Sequence, residues 1–211
     1  MASRIELHKP FSEAEQQRQS DLLGMFIFLG TEVMLFGGLF AAAMALRVLH
    51  EHDFVEASKR LHIWIGAINT GILLISSTLV ALAVHAAHRA LRRRASVLLI
   101  GAALLGIAFL GMKALEYYKE YADGLLPAVS NPTKFSSPFE HLFMNVYFIS
   151  TALHAFHVTV GIIALAVIAI LTWRRRARPP GNLMPVELTG LYWHLVDIIW
   201  IFLYPVLYLA R

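Results

Sequence analysis

The sequence predicts an all-α polytopic membrane protein, a bundle of five transmembrane helices, and three observations predict it. Apolar runs long enough to cross a bilayer recur five times along the 211 residues. Charged residues make up 15% of the chain against 58% hydrophobic, where a soluble domain carries roughly a quarter charged. Those charges cluster between the apolar runs instead of spreading along them.

The elements follow in order. Residues 1–21 are polar and contain no apolar core of a cleavable signal, so they read as a cytoplasmic N-terminal segment. Residues 22–211 form one transmembrane domain. Its first span is expected over 22–46, with Ser20 and Asp21 as start signals. The second (62–88) and third (95–118) flank the arginine run 89–94. The fourth, 139–173, opens on "SPFE" (137–140): Ser137 can cap, Pro138 suits the first helical position and Glu140 completes a capping box. This span exceeds the length a bilayer requires, so it is expected to tilt or to project beyond it. Pro185 opens the fifth, 186–209, and Pro205 is expected to free the carbonyl of Ile201 and kink its end.

With five spans, the N-terminus and the loops 89–94 and 174–185 share one side, carrying three, four and four Lys/Arg, eleven together. The other side carries six, at Arg47, Lys59, Arg60, Lys119, Lys134 and Arg211. Positive charge marks the cytoplasmic side, which puts the N-terminus inside and the C-terminus outside. Because each arginine run abuts a span end, topology explains it better than nucleic-acid binding. The chain has no cysteine, which excludes disulfides, thiolate metal sites and thiol chemistry. The longest external loop, about 121–137, reads equally as a surface that touches a neighbour and as a plain connector.

Function is sought in the polar residues at membrane depth, each of which costs a few kcal/mol and therefore finds a partner. They are Glu32; Lys113 and Glu116; His154 and His157; His194 and Asp197; with Asn69, Ser76, Ser77 and Thr78 as softer groups. At about 1.5 Å per residue, Glu32 lies roughly 15 Å from its helix start, Asp197 at a similar height, His194 shallower and His157 further out. Glu32 can therefore meet His157, His194 or Asp197, and height alone does not choose among them. Two histidines three apart on one helix do not bracket a haem, and copper or zinc would need further ligands at the same depth. Histidines bonding across helices are the favoured reading. Glu32 is balanced between a proton-relay carboxylate and a carboxyl that locks packing, whereas Asp197 with His194 leans to the structural side. "GGLFAAAMA" (37–45) reads as a close helix-packing face. Tyr192, Trp193, Trp200, Tyr204 and Tyr208 read in part as an interfacial belt.

Four stretches together resemble subunit III of the haem–copper oxygen reductases: "LGTEVMLFGGLF" (29–40), "MKALEYYKEY" (112–121), "TALHAFHVTVG" (151–161) and "YWHLVDIIWIFLYPVLYL" (192–209). They occur in the family's order and cover four of the five spans. The family's larger members have seven helices with lipid held beside a leading pair. This chain resembles the short five-helix bacterial form, so that lipid cleft does not carry over unchanged, though bound phospholipid is allowed. The resemblance implies a multi-pass protein of the bacterial inner membrane that packs on subunit I, with subunit II and lipids also as partners, and with respiratory supercomplexes as a further setting. Haem and copper are expected in the partner subunits and no cofactor or redox centre in this chain. It implies support of proton uptake, of complex stability and of oxygen access in a proton-pumping oxidase, most simply a cytochrome c oxidase. The family's Ser/Thr-Glu-Val glutamate falls on Glu32 and its Ala-x-Glu-Tyr glutamate on Glu116. Its histidines and aspartate fall on His154, His157, His194 and Asp197, in structural or proton-supporting roles, none of them catalytic.

The competing readings are a quinol oxidase subunit, a nitric oxide reductase accessory protein, a stand-alone proton-coupled transporter and an autonomous haem protein. Against the transporter, the chain has no repeated half and no mid-span helix broken by paired Gly and Pro.

Overall fold

A computed structural model describes residues 14–59, 61, 63–122, 138–174 and 183–209. Six helices hold nearly all of them: α1 (Ala14–Leu49), α2 (Glu51–Lys59), α3 (Ile63–His88), α4 (Arg92–Ala122), α5 (Pro138–Arg174) and α6 (Met184–Tyr208). Every helix but α2 is long and apolar enough to cross a membrane, and the described residues contain no strand. The protein is all-α, with the five expected spans.

The ends of the elements differ instructively from expectation. Ser20 and Asp21 do not cap the first span; α1 begins at Ala14 and runs through both. Residues 15–19 are Glu, Gln, Gln, Arg and Gln, good helix formers, and Gln19 Nε2 donates to Glu15 Oε1 at 3.4 Å. Helix α2, missed in the sequence, fills the connection after α1. It is too short and polar to span, but Phe54, Ala57 and Ser58 are buried, and Ser58 Oγ donates to the Leu207 carbonyl at 3.1 Å. Pro138 does begin α5; Ser137 and most of the 121–137 loop lie outside the described residues. Helix α6 continues past Pro205 to Tyr208.

Helix α3 stops at a turn where Ala90 adopts φ 58° and Leu91 N–H returns to the Ala86 carbonyl at 2.9 Å, a helix-closing geometry that lets α4 set off antiparallel. Helix α4 packs between α3 and α5, and α6 closes the bundle against both. Small hydroxyls register these helices: Ser76 Oγ donates to the Ala102 carbonyl (3.0 Å) and Ser96 Oγ to the Ala169 carbonyl (2.8 Å). Trp193 of α6 seats its ring against two glycines. A Cβ at Gly106 would fall 2.8 Å from its Cη2, and one at Gly161 would fall 2.7 Å from its Cε3, so only glycine leaves room.

Helix α1 lies outside this four-helix core, leaning on α5 and α6. It touches them through Phe36, Ala43, Met25, Leu39 and Phe40. The stretch 37–45 therefore does not form the expected packing face within this chain. Gly37, Gly38, Ala41, Ala42 and Ala45 are exposed, and a Cβ at either glycine would meet nothing within 4 Å. The aromatic belt is corrected likewise: Tyr192, Trp193, Trp200 and Tyr208 are buried. Exposed Trp64, Tyr118, Tyr121 and Trp173 at the ends of α3, α4 and α5 take that place.

Candidate functional site

The polar residues gather into two clusters. The first lies between α1 and α5. His157 Nε2 is 2.8 Å from Glu32 Oε2, and the two side chains are largely shielded by Phe36, whose ring meets the imidazole edge-on at 5.4 Å. Of the three partners that height allowed Glu32, the fold selects His157. One turn back on α5, the Leu153 carbonyl lies 2.8 Å from His157 Nδ1. A carbonyl only accepts, so Nδ1 carries a hydrogen. Facing the carboxyl, Nε2 then either donates to a carboxylate or accepts from a carboxylic acid. Tyr192 OH of α6 donates to the His157 carbonyl at 3.1 Å and braces this turn from the other side.

The second cluster lies near the end of the bundle that carries α2. Lys113 and Glu116 are one turn apart on α4, with Nζ to Oε2 at 2.9 Å, and both are buried. Lys113 Nζ also donates to Tyr208 OH (2.8 Å) and Tyr147 OH (3.3 Å). Tyr208 OH donates to Glu116 Oε1 at 2.8 Å, and Tyr147 OH to Glu120 Oε1 at 2.9 Å. The rings of Tyr117, Tyr147, Trp200 and Tyr208 surround the ammonium at 5.1–5.4 Å, adding cation–π attraction. A buried ion pair is stable only where hydrogen bonds meet its remaining donors and lone pairs, and this network supplies them.

The other expected site residues separate from these clusters. His194 turns to α3, its Nδ1 at 2.7 Å from Ser77 Oγ, and does not reach Glu32. Asp197 is buried one turn further along α6, and its Oδ1 has no hydrogen-bond partner among the described residues. His154 is fully buried, stacked on Trp200 at 5.1 Å, and forms no hydrogen bond to another described residue, contrary to the expected bonding across helices. Among the described residues, no three His, Asp or Glu side chains are grouped to hold a metal ion.

Sequence reasoning named Lys113 and Glu116 but not Glu120, Tyr147 and Tyr208 as their companions. A signal existed for one of these: positions 113, 116 and 120 share a helical face. The two tyrosines carried no such signal, because they arrive from α5 and α6.

Along residues 14–210 the chain matches the family model described as cytochrome c oxidase subunit III. The chain belongs to that family. Named relatives of subunit III cover nearly its whole length. It is 33% identical over 193 residues to cytochrome c oxidase subunit 3 of Thermostichus vulcanus, spanning 89% of this chain and 86% of the relative. It is 28% identical over 209 residues to cytochrome bo(3) ubiquinol oxidase subunit 3 of Pseudomonas aeruginosa, spanning 99% and 94%. It is also 28% identical over 200 residues to quinol oxidase subunit 3 of Bacillus subtilis, spanning 95% and 92%. Subunit III proteins of both donor types thus share this length and family, and all are components of oxidase complexes.

Proposed function

We propose that the chain is the non-redox subunit III of a proton-pumping terminal oxidase that reduces oxygen to water in a bacterial inner membrane, with its N-terminus in the cytoplasm. The observation that carries the reading is the family match from residue 14 to 210, which runs through both polar clusters. The cytochrome c oxidase type is favoured because the relative of that name shares the higher identity of the three. The eleven-to-six distribution of Lys and Arg supports the orientation.

In this reading the chain packs against subunit I, where haem and copper reside, and Glu32 with His157 supports proton supply. One proton shared by two sites can be taken up or released at either end of a 2.8 Å contact, and transfer inside the pair separates no lasting net charge in lipid. Isolation of the tagged chain from native membranes in mild detergent tests the assignment. The expected result is co-purification with haem-bearing subunits and oxygen consumption driven by reduced cytochrome c. A chain recovered alone overturns it, and turnover with quinol in place of cytochrome c assigns the quinol type.

A further inference from the structure

The end of the bundle where α3 turns into α4 gathers positive charge of one kind. Lysine and arginine mark the cytoplasmic side equally well, yet the stretches 89–94 and 174–185 hold eight arginines and no lysine. Three of them, Arg92, Arg93 and Arg94, begin α4, whose first turn carries no acidic residue. A helix start is already the positive end of its dipole, so cations there oppose the helix and an anion relieves it. The sequence has no Asp or Glu between Glu56 and Glu116, nor between Glu140 and Glu187. Glu187 faces His88 Nε2 at 3.0 Å. Glu15 and Asp21 belong to α1, which packs on α5 and α6 and has no contact with α4 among the described residues.

Two helices shape this end together. The Ser96–Ala169 bond fixes the start of α4 against the end of α5. One turn outward from that bond, the Arg93 guanidinium lies 5.8 Å from the centre of the Trp173 ring. Cation–π attraction holds the arginine across the seam between the helices. Both side chains remain exposed, Trp173 by about half. Arg93 also heads an apolar stripe on α4, because Val97, Ile100 and Leu104 follow it on the same face and are exposed. Exposed Ile170 and Ile163 continue down α5 from Trp173.

The chemistry narrows the occupant. It must carry a compact anion at one end and hydrocarbon at the other. A guanidinium fork pairs with phosphate through two parallel hydrogen bonds, which an ammonium cannot reproduce. Free phosphate would leave the stripe unused, and a zwitterionic lipid brings an ammonium that the arginines repel. An anionic phospholipid meets both demands, and basic clusters between membrane helices take such headgroups.

We propose that the start of α4 and the end of α5 form a binding site for one anionic phospholipid. Its phosphate lies on the Arg93 guanidinium beside Trp173, within the field of Arg92, Arg94 and Arg174. Its acyl chains run along Val97, Ile100 and Leu104. The headgroup supplies counter-charge to the first turn of α4 and ties that turn to α5 at the membrane surface.

The test uses the assembly that the tagged chain brings out of native membranes, stripped of lipid in detergent. Native mass spectrometry counts the lipids that return. Arg93→Gln should weaken one phosphatidylglycerol adduct about tenfold, the equivalent of one charge-assisted hydrogen bond, and leave phosphatidylcholine adducts unchanged. Arg93→Lys keeps the charge without the fork and should weaken the same adduct. A density map of the unaltered assembly in a phosphatidylglycerol bilayer disc should place a phosphate oxygen about 2.8 Å from an Arg93 nitrogen. Equal adducts in the unaltered and Gln proteins, or a Lys variant that binds as well as arginine, reduce the cluster to general surface charge and overturn the site. Displacement of the adduct by excess inorganic phosphate, or a protein segment lying on Arg93 in the map, overturns the lipid as its occupant. None of these readouts depends on which oxidase the chain serves.

Discussion

The two clusters neutralise buried carboxylates by different means. Glu116 is fixed by Lys113 and Tyr208 on α4 and α6, in a site where the ion-paired side chains are 4% and 0% exposed. Glu32 and His157 are 14% and 9% exposed and face each other at 2.8 Å. In the first cluster the lysine and two tyrosines surround the carboxylates with a network of hydrogen bonds. In the second a single imidazole faces the carboxyl across the α1–α5 contact. The lesson is that buried carboxylates at two heights of one bundle are met by different partners, a lysine ringed by tyrosines in one and a histidine of a neighbouring helix in the other.

The comparison breaks most severely at Lys113. Replacing it with Met leaves Glu116 charged in a sealed core, a loss of about 3–5 kcal/mol, read as a fall in yield and in melting temperature of the assembled complex. Adding Glu116→Gln to Lys113→Met removes the orphaned charge and should restore most of that loss; no recovery would show that the charge was not the cause. His157→Phe leaves Glu32 alone beside a partly open contact. The expected loss is smaller, about 1–3 kcal/mol, because Glu32 can be neutralised by protonation. Glu32→Gln should change stability by less than about 1 kcal/mol, since an amide N–H can still donate to His157 Nε2. It removes the shareable proton, so oxygen consumption should decay faster over many turnovers, and traces matching the unaltered protein would leave Glu32 with packing alone. Ser77→Ala, which takes the contacts to His194 and Asp197 together, should cost about 1 kcal/mol, read as a small fall in melting temperature.

The number and type of spanning helices were legible because lipid imposes length and apolarity on each segment independently. Helix α2 was not, because nine mixed residues become a helix only when Phe54 and Ser58 find α5 and α6 to bury against. The height of Glu32 was readable from residue counts, but its partner depended on which way each helix faces around its axis. That facing is fixed by contacts such as Trp193 with Gly106 and Gly161, which join residues far apart in sequence. The same reason explains the misread aromatics. Tyr208 near a chain end looks like a membrane-surface anchor until α6 turns its hydroxyl inward to Glu116 and Lys113.

The Trp193 indole also has a mechanical consequence. Lodged in notches on two neighbours, it acts as a key in a double lock, so α6 cannot slide lengthwise by even one residue without driving the ring into bulkier side chains. Helices α4, α5 and α6 are thereby held in one register, and α1, which carries Glu32, packs outside that lock.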